Sequence, residues 1–176
     1  LNLENIPKVL NDLIANNGKL DSLIFFQRSR GDGDAWKNEI DVSRTATKEI
    51  MGHLADKFNQ EKDCSIVVVS SLASYFVAAE QSVSYHVAKA AMNQLVKYYA
   101  VKLGPKGIRV NCVSPCAIQK EESKEYYDNN KEITGLYKTI TPLGRMGNAE
   151  DVANVIAFLC SSDASFITGQ NIVMDG

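Results

Sequence analysis

"CSIVVVSS", residues 64–71, runs four β-branched residues together and closes on two hydroxyls. An apolar run this continuous suits a parallel strand that is covered on both faces. Upstream, "DSLIFF" (21–26) reads as a second buried strand, and "RGDGD" (30–34) as a turn region. A helix follows over roughly 43–59, with Ile50, Met51, Leu54 and Phe58 inward. Before that strand, residues 6–16 set Ile6, Val9, Leu10, Leu13 and Ile14 on one helical stripe, with Gly18 as its stop. Downstream, Ala88, Met92, Leu95, Val96 and Leu103 predict a helix over 84–103, and "GIRVNCVSP" (107–115) another strand. Residues 116–140 are polar and predict a mobile insertion. "NAEDVANVIAFLCS" (148–161) is a helix with Asn148 as N-cap and Glu150 and Asp151 in the first turn, and "GQNIVMDG" (169–176) a last short strand. Strand and helix alternate throughout, which predicts an α/β fold with a parallel sheet flanked by helices. No linker or repeat divides residues 1–176, so they form one domain or part of one.

Composition narrows the function. The 176 residues are 45% hydrophobic, enough for a real core. A formal net charge of −2 gives no electrostatic reason to expect nucleic acid. Cys64, Cys112, Cys116 and Cys160, with the isolated His53 and His86, lack metal-ligand spacing, so no metal is expected. They read as ordinary thiols of a reducing, cytoplasmic compartment. The longest apolar stretch, "SIVVVSSLASYFVAA" (65–79), is too short and too rich in serine to span a bilayer.

Tyr-x-x-x-Lys occurs three times, at Tyr85 and Lys89, Tyr98 and Lys102, and Tyr127 and Lys131. Spacing puts each pair on one helix face but does not choose among them. Place in the fold has to decide which pair, if any, does chemistry. In open α/β sheets, ligands gather outside the carboxyl ends of the strands. Ser70 and Ser71 end the strand 64–71 there, and Tyr85 and Lys89 open the next helix. The chemistry is coherent. A free phenol titrates at about 10, and a neighbouring ammonium favours its ionised form. A serine hydroxyl can hydrogen-bond a substrate oxygen as charge builds on it. The plain alternative is that Tyr85 is a packing residue of its helix.

From "SSLAS" (70–74) through "YHVAKAAMNQLVKYYAVKLGPKGIRVNCVSP" (85–115) to "PLGRMGNAEDVANVIAFLCSSDASFITGQNIVMDG" (142–176), the chain resembles the short-chain dehydrogenase/reductase family. The resemblance implies a Rossmann-like, doubly wound parallel sheet, here without its first three strands, and an NAD- or NADP-dependent oxidoreductase. Its substrate would be a small carbonyl compound or alcohol. Tyr85 would be the general acid/base, Lys89 its partner and Ser71 the carbonyl-orienting serine. Tyr85, Lys89, Asn2, Pro115 and Ile118 would face the cofactor, with 116–140 as the variable substrate-side insertion. Family members also form homodimers or homotetramers, often through the helices at 43–59 and 84–103. Met51, Leu54, Met92 and Leu95 could then serve either core or interface.

Several positions depart from the family pattern. No GxGxxG turn is present, and by comparison the chain starts near the end of the third strand. A beginning without methionine fits a polypeptide whose first part is absent from this sequence. The edge of the strand at 21–26 would then be bare. Phe25, Phe26, Gln27 and Arg28 replace Asn-Asn-Ala-Gly, so Arg28 or Arg30 either is solvated or reaches an anionic group on substrate or cofactor. Ser43 takes the place of the tetrad asparagine, which helps anchor a proton-relay water. Cys116 replaces a glycine, and Lys120 a threonine. These departures support a second expectation, a catalytically weakened or inactive binding or scaffold protein.

Overall fold

The computed structural model describes residues 3–29, 33–59 and 61–176. Four strands form one all-parallel sheet: β1 (Ser22–Phe25), β2 (Cys64–Val69), β3 (Ile108–Pro115) and β6 (Asn171–Met174), adjacent in that order. Two-residue strands β4 (Ile118–Gln119) and β5 (Gly147–Asn148) pair in parallel beside it. All eight residues of β3 are buried, as are the first five of β2. Side chains alternate across a strand, so β2 feeds two cores. Cys64, Ile66 and Val68 face one side, where they meet Met51, Leu54, Met92 and Leu103. Val67 faces the other side, with Val113, Val152, Ile156 and Leu159.

The first core is roofed by α1 (Ile6–Asn17), α3 (Ala46–Leu54) and α4 (Val83–Leu103), and the second by α7 (Ala149–Cys160). Met51, Leu54 and Met92 are almost completely buried, so they belong to the core rather than to a subunit interface. Gly18 ends α1 at φ +82°, a left-handed value that a side chain resists, and its N–H closes on the Ile14 carbonyl. Ahead of α3, α2 (Ala35–Glu39) runs into a π-helical turn over Ile40–Thr45.

The segment read from the sequence as an insertion has its own elements. Residues 116–140 carry β4, a 3-10 turn, α5 (Lys124–Asn129) and α6 (Lys131–Ile140). Asn130 caps α6 by accepting from the Ile133 N–H. Asn2 and Arg30, two of the candidate binding residues, lie outside the described residues. Among the described residues, no helix is long and apolar enough to cross a membrane.

Candidate active site

Tyr85 and Lys89 sit in the first two turns of α4. Ser82 caps the helix by accepting from the Tyr85 N–H. That end of α4 lies at the carboxyl rim of the sheet, because Lys89 is fastened to the end of β2 twice. Its Nζ donates to the Val69 carbonyl at 3.1 Å, and its own carbonyl accepts from Ser70 Oγ at 3.1 Å. His86 anchors the loop before the helix, accepting from the Ala78 N–H at Nε2 and meeting the Ser82 carbonyl through Nδ1.

Tyr85 is half-buried, and two cations face its ring. Lys89 Nζ stands 5.6 Å from the ring centroid, and the Arg28 guanidinium carbon 4.6 Å. Arg28 also donates to Gln81 Oε1 at 2.9 Å. The large residues at 25–28 are thereby sorted. Phe25 is core at 3% exposure, Gln27 hydrogen-bonds Thr47 on α3, and Arg28 reaches the Tyr85 ring.

Lys89 itself is 3% exposed. Burial pulls its pKa down to about 8, partly opposed by the Glu39 carboxylate. The nearby Cys112 thiol is pushed up to about 12 by burial, and so is neutral at pH 7.

Ser71 ends the β2 segment half-buried and opens a 3-10 turn, Leu72–Ser74, with its Oγ accepting from the Ala73 N–H at 3.2 Å. Its hydroxyl hydrogen is left for another acceptor. Ser43 is fully buried on the π turn and donates to Glu39 Oε1 at 2.5 Å. Pro115 ends β3 buried, beside Met174 of β6, and Ile118 follows half-buried on β4. The structure thus groups Tyr85, Lys89 and Arg28, and links Ser43 to Glu39. Sequence reasoning missed Glu39. Its signal was a carboxylate four residues before Ser43, the spacing of neighbours on a helix.

The other two Tyr-x-x-x-Lys pairs lie elsewhere. Tyr98 is exposed with Lys102 Nζ 5.8 Å from its ring. Tyr127 and Lys131 line a cavity of about 670 Å³ with Gln119, Asp128 and Arg145; none of Ser71, Tyr85 and Lys89 borders it.

Lys89, Pro115 and Ile118 all lie at or just beyond the carboxyl ends of the strands, where ligands of open α/β sheets gather. The glycine-rich turn for a dinucleotide's pyrophosphate is not among these residues.

Comparison with known proteins agrees with this geometry. The family model described as enoyl-(acyl carrier protein) reductase matches residues 4–176. The human dehydrogenase/reductase SDR family member 2, mitochondrial, is 39% identical over 141 residues, 80% of this chain and 49% of the relative. Human dehydrogenase/reductase SDR family member 4 is 32% identical over 143 residues, 81% of this chain and 51% of the relative. The chain spans about half the length of the curated relatives it matches. Among solved structures, 4-hydroxyisoleucine dehydrogenase complexed with NADH superposes with a TM-score of 0.88 at 30% identity, over 99% of this chain and 74% of that one. ElxO with NADP bound gives 0.84 at 27% identity, over 99% of this chain and 73% of that one. With its parallel sheet, its rim-mounted tyrosine and lysine and these relatives together, the chain belongs to the short-chain dehydrogenase/reductase family.

Proposed function

We propose that the complete protein is an NAD- or NADP-dependent oxidoreductase that interconverts a ketone and a secondary alcohol. The observation that carries this reading is Tyr85 at the strand rim with the buried Lys89 beside its ring. A bound nicotinamide supplies or accepts the hydride. In the reducing direction, the Tyr85 hydroxyl donates its proton to the substrate oxygen, and the Ser71 hydroxyl donates a hydrogen bond to that same oxygen. Lys89 and Arg28 hold positive charge beside the ring that gives up the proton, the sign that suits the charge left on it. Residues 116–140 form the substrate side, and together with the rest of 1–176 they belong to one domain of this fold.

Arg28 refines the substrate class. Among the described residues, its hydrogen-bond partner is the neutral amide oxygen of Gln81 rather than a carboxylate. An exposed guanidinium over the acid/base ring suits a substrate that carries a carboxylate. The solved neighbour named for 4-hydroxyisoleucine, an alcohol with a carboxylate, supports the same class.

A second reading, a binding protein with weak or no catalysis, is favoured by the bulk of Phe26 and Arg28 where relatives carry small residues. One pair of measurements on the complete protein decides. Calorimetry with NADH and NADPH should show binding, and Tyr85→Phe should lower turnover by about 10²–10⁴ while leaving binding in place. Absence of binding selects the second reading. Binding with unchanged turnover in Tyr85→Phe removes Tyr85 from the chemistry.

A further inference from the structure

A hydrogen-bonded chain that the proposed mechanism does not use runs beside the site. Asn93 lies one turn beyond Lys89 and two beyond Tyr85, so the three share one stripe of α4. Lys89 is fastened to the end of β2. Asn93, half-buried, reaches the turn that follows it, where its Nδ2 donates to Ser74 Oγ at 2.8 Å. Ser74 Oγ donates in turn to the Ser71 carbonyl at 2.7 Å, and the Ser74 N–H closes on that same carbonyl at 2.9 Å. At its other end the Asn93 amide meets β3, its Oδ1 accepting from the buried Cys112 thiol at 3.6 Å.

A hydroxyl carries a single hydrogen. Because Asn93 donates to Ser74 Oγ, the Ser74 hydrogen remains for the Ser71 carbonyl. Ser71 is thereby held through its backbone, while its own Oγ accepts from the Ala73 N–H at 3.2 Å. The turn that carries Ser71 is thus stitched to the helix that carries Tyr85 at a second place besides Lys89. A donor aimed at a substrate oxygen works best when its position is set before the reaction begins.

We propose that Asn93, acting through Ser74, is a positioning residue that sets the Ser71 hydroxyl against Tyr85. The proposal rests on the reading of Ser71 and Tyr85 as partners on one substrate oxygen, and half of its test is independent of that reading. Asn93→Asp keeps the shape but puts an acceptor where the NH2 was, so the Ser74 hydroxyl turns to the carboxylate and leaves the Ser71 carbonyl. Amide hydrogen exchange of the complete protein, without cofactor or substrate, reads that change. The Ala73 and Ser74 N–H groups should exchange about fivefold faster in Asn93→Asp and in Ser74→Ala, with Val96 farther along α4 within about twofold. Ser74→Thr, which retains the hydroxyl, should match the wild type.

Should Asn93→Asp not fold, Ser74→Ala carries the test from the other side. The Asn93 side-chain NH2 should exchange about fivefold faster there than in the wild type. Unchanged exchange overturns the proposal. So does a rise spread evenly along α4, which marks a merely structural role.

Turnover adds an independent check, with NADH or NADPH and acetoacetate, a ketone that carries a carboxylate. Asn93→Asp should lower kcat about tenfold and leave KM within about twofold, since a misplaced donor is felt in the transition state. In a Ser71→Ala background the same substitution should change kcat by less than about twofold, because no hydroxyl is left to place. An equal loss in both backgrounds shows that Asn93 acts by another route and overturns the proposal. Where acetoacetate is not turned over, the exchange measurement decides. If instead Ser71→Ala keeps full kcat while exchange at Ala73 still answers to Asn93, the role given to Ser71 fails and the link from Asn93 to its turn stands.

Discussion

Arg28 shows how far one side chain can change a familiar rim. Its guanidinium carbon lies 4.6 Å from the Tyr85 ring centroid, at the strand end where the family pattern implied small residues. A charge-assisted hydrogen bond to a substrate carboxylate contributes about 1.5–3 kcal/mol, so Arg28→Ala should raise KM for a carboxylate-bearing substrate about tenfold or more. For a neutral analogue, KM should stay within about twofold, because no such bond is lost. Equal effects on both substrates count against the anionic class. Tyr85, Lys89 and Ser71 could be singled out as candidates because the blocks around them resemble the family, and Tyr85 and Lys89 do open α4 while Ser71 follows β2. Arg28 could be read only as one of two options, solvated or functional, because the direction of a long side chain depends on contacts such as Gln81, 53 residues away. Glu39 was hidden for a related reason. A glutamate in a polar stretch looks solvated until the fold buries it, here at 6% exposure with Ser43 donating to it.

At the scale of the element, α7 was the most legible part of the chain. Asn148 accepts from the Asp151 N–H at 2.9 Å, and Asp151 accepts from the Asn148 N–H at 2.8 Å, a reciprocal cap written in four residues. Arg145 adds two bonds to the same carboxylate, at 2.7 and 2.9 Å. The Arg145 guanidinium, then the Asn148 N–H, hold the Asp151 pKa down to about 2. A folded-state value below the ordinary 3.8 means that the contribution is complete above that pH and is lost as pH falls toward about 2. Wild type should therefore lose stability from this cap across that window. Asp151→Asn should be less stable at neutral pH and lack this component of the acid loss, as read by urea unfolding at several pH values. Identical acid profiles would remove Asp151 as the cause. The helices within 116–140 were not legible, for a physical reason. They bury no residue fully, so the polar composition concealed their order.

At the scale of the whole molecule, the parallel sheet was readable because β2 is a nearly continuous apolar run and strand and helix alternate along the chain. What joins the layers was not readable. Arg109 leaves the middle of the sheet at 7% exposure, with Nε and Nη2 donating to Asp63 at 3.0 and 3.2 Å. Its Nη1 and Nη2 also donate to the Leu159 and Ser161 carbonyls at the end of α7, at 2.7 and 3.0 Å. One guanidinium thus ties the start of β2, the body of β3 and the end of α7, where bare carbonyls favour a cation. Arg109→Met should cost about 2–4 kcal/mol in urea unfolding, because buried acceptors lose their donors while the volume is kept. Arg109→Lys should recover less than half of that, since an ammonium does not reproduce the planar fork. A loss below about 0.5 kcal/mol would show that water replaces the bonds without penalty.

The small β4–β5 pairing separates the main sheet from the segment that leaves it. Ile118 meets Gly147, where any added Cβ would come within 2.6 Å of the Ile118 side chain, so the two ends of the excursion between them are clasped at its base. Closing a loop at its root fixes its two exits whatever lies beyond, and lengthening such a loop adds entropy cost only slowly. The stretch from 120 to 140 should therefore tolerate replacement as a unit while β2 and β3 keep their register, which unfolding of such a chimera would check.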